Sequence, residues 1–106
     1  MSYRYMRILV FFDLPVLTSQ NKRDYRIFRK YLVKNGFIML QESVYAKLVI
    51  NTSAANAVTE NVKKNIPPDG LVQMMVVTEK QYSRMETLVG EAKGNIIDSD
   101  ERLIVI

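Results

Sequence analysis

The chain contains no cysteine and no histidine among its 106 residues. Disulfides, thiolate metal sites and imidazole proton transfer are therefore excluded, so metal or proton chemistry must rest on carboxylates. The longest apolar runs are five or six residues, far short of the roughly 20 that cross a bilayer, and no signal segment opens the chain. We therefore expect one cytoplasmic domain, residues 1–106, without membrane contact.

Basic charge is concentrated in one segment. The net charge is +4, but residues 22–34 hold six basic residues and one acid, which gives them +5 and the remainder −1. On a helical wheel the six basic residues span about 140°, and Tyr25, Phe28 and Leu32 span about 60° elsewhere. The acid, Asp24, lies outside the basic arc. This cationic stripe consists of Lys22, Arg23, Arg26, Arg29, Lys30 and Lys34.

The cationic stripe has two interpretations. The simpler is a solvated helix face that aids solubility, and charge alone does not decide against it. The near-neutral remainder of the chain favours a polyanion, because a local basic patch on a neutral protein indicates nucleic-acid binding. Arginine and lysine on a helix follow duplex phosphates without reading bases, so binding should be sequence-independent and salt-sensitive. The predicted contacts are Arg23, Arg26, Arg29 and Lys30.

Asp13 is the best placed of the eleven acids, because it follows the apolar run at residues 8–12 and precedes Leu14 and Pro15. An aspartate where a strand ends often caps the following turn. The alternative is a catalytic metal ligand. Mg²⁺ is held by one or two carboxylates with water and phosphate oxygens, so a dimer that paired two copies of Asp13 would provide a site. Mg²⁺ or Mn²⁺ there would polarise a phosphate for attack by water.

Apolar patterning and cap residues predict the order β-α-β-β-α-β, then a short helix and one more strand. The strands are predicted at residues 3–12, 37–50 (two strands with a bend near 41–43), 71–77 and 102–106. The helices are predicted at residues 20–35, capped by Ser19, at 54–65, and from Thr78 with Tyr82, Met85 and Val89 inward. The expected class is α+β, a ferredoxin-like βαββαβ domain with an antiparallel sheet and an additional C-terminal helix turn and strand.

The predicted sheet has one face that its own helices leave uncovered. The first and fourth strands are apolar on both sides, so that face cannot be polar throughout. A second copy of the chain is the simplest cover, which predicts a symmetric homodimer. The terminal strand would otherwise be an exposed apolar edge, so we expect it to pair across the dimer. Its residues are Leu103, Ile104, Val105 and Ile106.

Several motifs, taken in order, resemble the CRISPR-associated protein 2 family, the small partner of the spacer integrase. They are the apolar first strand ending in Asp13, the basic first helix with its Gly36-Phe37 exit, and Gln41-Glu42-Ser43-Val44-Tyr45. The segments at residues 3–7 and 78–82 look like the subgroup found beside type II effector systems. The resemblance spans essentially the whole chain.

The resemblance implies a symmetric dimer of ferredoxin-like domains whose terminal strands cross to the partner. Such dimers bridge a pair of integrase dimers and hold the double-stranded prespacer during its insertion into the repeat array, in antiviral defence. Some members are also credited with metal-dependent endonuclease activity on RNA or double-stranded DNA, with Mg²⁺ bound near the two-fold axis at the position of Asp13. Some of these nucleases carry an arginine where this chain has Met39, and loss of that cation would weaken transition-state stabilisation.

Overall fold

The computed structural model describes residues 5–91, which form a four-stranded sheet with three helices. The elements are β1 (Met6–Asp13), α1 (Ser19–Lys34), β2 (Ile38–Gln41), β3 (Val44–Val49), α2 (Thr52–Lys63), β4 (Leu71–Thr78) and α3 (Glu79–Tyr82). All neighbouring strands are antiparallel, in the order β2-β3-β1-β4. The predicted ferredoxin-like α+β fold is confirmed, and the predicted strand with Leu103, Ile104, Val105 and Ile106 lies outside the described residues.

The core lies between one face of the sheet and the two longer helices. Side chains alternate across a strand, so Ile8, Val10 and Phe12 of β1 all point toward the helices. There they meet Phe28 and Leu32 of α1, and Phe12 packs edge-on against Phe28 with 5.3 Å between ring centroids. Burying one such side chain stabilises the fold by about 1.5–3 kcal/mol. Helix α2 contributes Ala55 and Val62 to the same core.

Helix α1 begins one residue earlier than predicted, and Thr18 is its N-cap. The Thr18 hydroxyl accepts a hydrogen bond from the Asn21 backbone N–H at 3.0 Å, and the Asn21 side chain accepts one from the Thr18 N–H. The prediction of Ser19 as the cap is wrong. A capping box needs an acceptor three residues on, and the residue three after Ser19 is Lys22, which only donates. At the other end Gly36 has φ +89°, as a helix stop requires.

Helix α2 also begins earlier than predicted, at Thr52 rather than at residue 54. The Asn51 side chain accepts a hydrogen bond from the Ala54 backbone N–H at 2.8 Å and so caps the helix. Residues 37–50 form two strands as expected, because β2 ends at Gln41 and β3 begins at Val44.

Helix α3 is a single turn. Thr78 and Gln81 form the predicted capping box, with hydrogen bonds of 3.0 and 2.9 Å. The prediction that Met85 and Val89 point inward is wrong, since these side chains are 56% and 93% exposed. The helix ends at Tyr82, so no helical period continues to carry the later residues back to the sheet.

The opposite face of the sheet carries a second set of apolar side chains. One row crosses all four strands through Ile38, Ala46, Leu9 and Met75. The middle of β1 and most of β4 are thus apolar on both faces, as the sequence predicts. Four large apolar side chains of this outer face are between 43% and 54% exposed: Ile38, Leu48, Leu71 and Met75. Within residues 5–91 no helix is long and apolar enough to cross a bilayer.

Candidate metal site and nucleic-acid interface

Asp13 is the last residue of β1 and lies opposite Leu71 of β4. It is exposed and lines an open pocket of about 200 Å³ at this end of the sheet. Two other polar residues, Ser43 and Gln73, line the same pocket, and apolar residues of β1, β3 and β4 complete the wall. We call this the Asp13 pocket.

The two interpretations of Asp13 predict different hydrogen bonds. A turn-capping aspartate would accept a backbone N–H with its side chain. Within residues 5–91 the Asp13 carboxylate has no hydrogen bond and no ion pair. The carboxylate is therefore available to a ligand, and the capping interpretation does not describe this structure.

The donors of the Asp13 pocket are oxygen atoms, which hard divalent cations prefer. In the part of the chain that the structure describes, no three histidine, cysteine, aspartate or glutamate residues come together as a metal cluster. Asp13 supplies one carboxylate, while Ser43 and Gln73 offer a hydroxyl and an amide oxygen. This set fits a cation that keeps several waters and receives further oxygens from phosphate or from a second chain.

Met39 does not lie in the Asp13 pocket. It pairs with Tyr45, whose side chain belongs to the core, and Met39 itself packs partly buried against that core. The family resemblance described above implies an arginine at this position in some nucleases. In this chain residue 39 faces the helices rather than the pocket. An arginine here would therefore not lie beside Asp13 of the same subunit, and Met39 in its place leaves the charge of the pocket within one subunit unchanged.

The four predicted nucleic-acid contacts lie together on α1. All six residues of the cationic stripe are exposed, and none forms an ion pair with another residue between 5 and 91. Asp24 is held instead by the side-chain amide of Gln20, at 2.9 Å. The opposite side of the helix buries Phe28 and Leu32. The positive charge is therefore presented to solvent, where it can meet an external anion.

The acidic and basic features are separate. Arg23, Arg26, Arg29 and Lys30 do not line the Asp13 pocket, so a single chain does not place these cations on a phosphate bound there. Sequence reasoning did not identify Ser43 and Gln73 as pocket residues. For Gln73 a signal existed, because it is the one polar residue within the apolar run of residues 71–77.

These observations define a class: a small ferredoxin-like α+β protein with one exposed acid ending its first strand and a basic first helix. The family described as CRISPR associated protein Cas2 matches residues 6–85. The chain therefore belongs to the Cas2 family, which confirms the resemblance seen in the sequence.

Relatives in several bacteria are similar over most of their length. A protein of Treponema denticola is 52% identical over 95% of this chain and 100% of its own, and one of Streptococcus mutans is 45% identical over 95% and 93%. A protein of Ligilactobacillus salivarius is 41% identical over 95% of this chain and 100% of its own. All three carry the name CRISPR-associated endoribonuclease Cas2.

A solved structure has the same fold at low sequence identity. The structure titled "Crystal structure of cas2" aligns with a TM-score of 0.51 and 18% identity, over 84% of this chain and 91% of that one. At this identity the likeness concerns the fold alone.

Proposed function

We propose that this protein is a subunit of a CRISPR spacer-integration complex. In this proposal it dimerises, binds double-stranded prespacer DNA through the cationic stripe of α1, and bridges dimers of the integrase subunit. The observation that carries the proposal is the stripe itself, whose six exposed cations have no carboxylate partner within residues 5–91. Membership of the Cas2 family supports it. The placement beside type II effector systems stays a prediction.

The dimensions of α1 suit a duplex backbone. Its 16 residues extend about 24 Å, at roughly 1.5 Å per residue. Duplex DNA carries about one phosphate charge per 1.7 Å of axis, so a helix of this length faces several phosphates at once. Contacts to phosphate alone fix position without reading sequence, which suits a scaffold that must accept any prespacer.

Charge reversal on α1 tests the DNA-binding surface. The double variant Arg26→Glu/Arg29→Glu should weaken duplex binding and make the plot of log affinity against log salt shallower by about two for each subunit on the duplex, since each subunit loses two phosphate contacts. The measurement is a fluorescence-anisotropy titration at several salt concentrations. Lys64→Glu/Lys80→Glu is the matched control, because both lysines are exposed outside α1 and the net charge changes equally. Equal losses in the two variants would overturn the assignment of binding to α1.

A second candidate function is a metal-dependent endonuclease that uses Asp13 from both subunits of a dimer. The relatives' printed name, CRISPR-associated endoribonuclease, favours it, and the unbonded Asp13 carboxylate in a pocket of oxygen donors supplies a binding group. Mg²⁺ or Mn²⁺ would polarise the phosphodiester and lower the pKa of an attacking water. Asp13 would hold the cation, and its symmetry mate would supply the second carboxylate.

Asp13→Ala separates the two functions. The scaffold proposal expects prespacer insertion by the assembled complex to survive this change, because the cationic stripe remains. The endonuclease proposal expects metal-dependent cleavage of RNA or duplex DNA to fall to background. Loss of insertion with intact assembly would contradict the scaffold proposal. Absence of cleavage by the unaltered protein across Mg²⁺, Mn²⁺ and pH would dispose of the endonuclease.

A further inference from the structure

Gln73 lies diagonally across from Asp13 on the outer face of the sheet. Asp13 pairs with Leu71 and Phe11 pairs with Gln73, so Gln73 is two residues beyond the direct partner of Asp13. Side chains in such diagonal positions point to the same face, with Cα atoms about 7–8 Å apart, which long side chains can span. The register therefore brings the amide of Gln73 and the carboxylate of Asp13 to one pocket.

The outer face of β1 and β4 is mostly apolar, and its polar residues without partners within residues 5–91 lie at the Asp13 end of the sheet. The outer-face residues of β4 are Leu71, Gln73, Met75 and Val77, of which only Gln73 is polar. On β1 the polar residues of this face are Arg7, which is paired with Glu79 at the far end, and Asp13. An unbonded glutamine on a polar surface needs no explanation. On an apolar strand face, beside an unbonded carboxylate, it adds a second oxygen group that a bound ligand can use.

Ser43 is the third polar group of the pocket, and its backbone is tied to β1. The Ser43 carbonyl accepts a hydrogen bond from the Phe12 backbone N–H at 3.0 Å, which holds the β2–β3 turn next to Asp13. Within the described part of the chain, the side chains of Asp13, Ser43 and Gln73 form no hydrogen bonds. Three polar residues without side-chain hydrogen bonds in the described part of the chain thus line about 200 Å³ of open space.

Gly70 allows the beginning of β4 to approach the end of β1 closely. A Cβ at this position would lie 2.7 Å from Leu14 Cδ2 and 2.9 Å from the Asp13 carbonyl oxygen, and its φ is +97°. A side chain here would push the two strands apart and suffer backbone strain. The close backbone approach at Gly70 therefore keeps the beginning of β4 beside the end of β1 that carries Asp13.

We propose that Gln73 and Ser43 belong to the same divalent-cation and phosphate pocket as Asp13, and supply neutral oxygen donors to the cation or to its bound water. This rests on the metal-dependent candidate function above. Hard cations of the Mg²⁺ type accept carboxylate and neutral oxygens and keep several waters. One carboxylate and two neutral oxygens would bind a divalent cation weakly in the absence of nucleic acid. A phosphodiester would then supply further oxygen ligands to the cation.

The test is Mn²⁺ binding to the purified full chain without nucleic acid, read from the electron paramagnetic resonance signal of free Mn²⁺. Gln73→Glu adds a second carboxylate and should tighten Mn²⁺ binding about tenfold or more, since affinity rises with ligand charge. Gln73→Leu, of similar size but without an oxygen, should weaken it several-fold. Gln81→Glu is the matched control. It makes the same charge change in α3, beyond the far end of β4, where glutamate also serves the N3 position of a capping box.

The double variant Asp13→Asn/Gln73→Glu decides whether the two positions share one cation. This variant keeps one carboxylate in the pocket, so its Mn²⁺ affinity should return to about that of the unaltered protein. A gain over the unaltered protein that persists in the double variant, or one matched by Gln81→Glu, or no gain in Gln73→Glu, would overturn the proposal. Because this readout requires no cleavage, a shared cation site without nuclease activity would reject the endonuclease and leave the pocket assignment standing.

Discussion

Individual side chains differ most in whether their polar atoms have partners. Asp13 leaves its carboxylate unbonded at an exposed position, where water satisfies it at little cost. Tyr45 leaves its hydroxyl unbonded within the described residues although its side chain is fully buried. An unsatisfied buried polar group costs about 1–3 kcal/mol. The lack of a hydrogen-bond partner therefore leaves the Asp13 carboxylate available to bind a ligand, whereas at Tyr45 it makes the buried hydroxyl destabilising.

Replacing Tyr45 with phenylalanine should therefore leave stability unchanged or raise it by about 1 kcal/mol, because only the unsatisfied hydroxyl is removed. The measurement is the free energy of unfolding in urea at one fixed protein concentration. Tyr31→Phe is the control, because the Tyr31 hydroxyl donates a hydrogen bond to the Asn61 side chain. That variant should lose about 0.5–1.5 kcal/mol. A clear loss of stability in Tyr45→Phe would show that its hydroxyl has a partner.

At the scale of elements, side-chain contacts of Arg7 attach α3 to the sheet. The Arg7 guanidinium donates to both Glu79 carboxylate oxygens, with Nε at 2.6 Å and Nη2 at 3.2 Å. Its Cζ also lies 4.3 Å from the ring centroid of Tyr82. Charge, two-point geometry and stacking act together here, and the pair is only partly exposed. Arg7 thus fixes the position of α3 at the Met6 end of the outer face.

A double-mutant cycle of Arg7→Ala and Glu79→Ala should give a coupling energy of about 1 kcal/mol, near the upper end for partly exposed pairs. Chemical denaturation of the four proteins measures it. The surface pair Lys63 and Glu60 is the control, with side chains 62% and 64% exposed. Its coupling should be about 0.3 kcal/mol. Equal couplings would mean that the two-point geometry and the Tyr82 ring add nothing.

At the scale of the whole molecule, the outer face of the sheet leaves apolar side chains exposed to solvent in the single chain. Its exposed apolar side chains and the open edge of β4, unpaired within residues 5–91, would both be satisfied by a second copy. The symmetric dimer and the crossing strand of Leu103, Ile104, Val105 and Ile106 stay predictions. Both candidate functions need the dimer, the scaffold for bridging and the endonuclease for a second Asp13.

Met75→Glu should convert a dimer to a monomer, because an unpaired carboxylate buried in an apolar interface costs several kcal/mol. Met75 lies at the end of the row that crosses the sheet and is 50% exposed in the single chain. Sedimentation equilibrium should give twice the 12.3 kDa chain mass for the unaltered protein and the chain mass for the variant. Ile66→Glu is the control, since Ile66 is 54% exposed and lies outside the sheet. A dimer that persists in Met75→Glu would place the interface elsewhere.

The sequence by itself determined the order of the elements within residues 5–91, the basic face of α1 and the position of Asp13 at a strand end. Each of these depends on local periodicity or on a cap residue within a few positions. The errors were also local, such as Ser19 for Thr18, where two capping residues are adjacent. The predicted burial of Met85 and Val89 is wrong because it continues the helical period beyond Tyr82, where α3 ends.

Only the tertiary structure decided what surrounds those features. It placed Gln73, 60 positions along the chain from Asp13, at a diagonal position on the neighbouring strand, and it turned Met39 toward the core. Strand register and the close approach at Gly70 set these relations, and neither leaves a periodic signal in the sequence. A pattern along the chain fixes which face of its own element a residue occupies, but the pairing of strands distant in sequence fixes which residues meet.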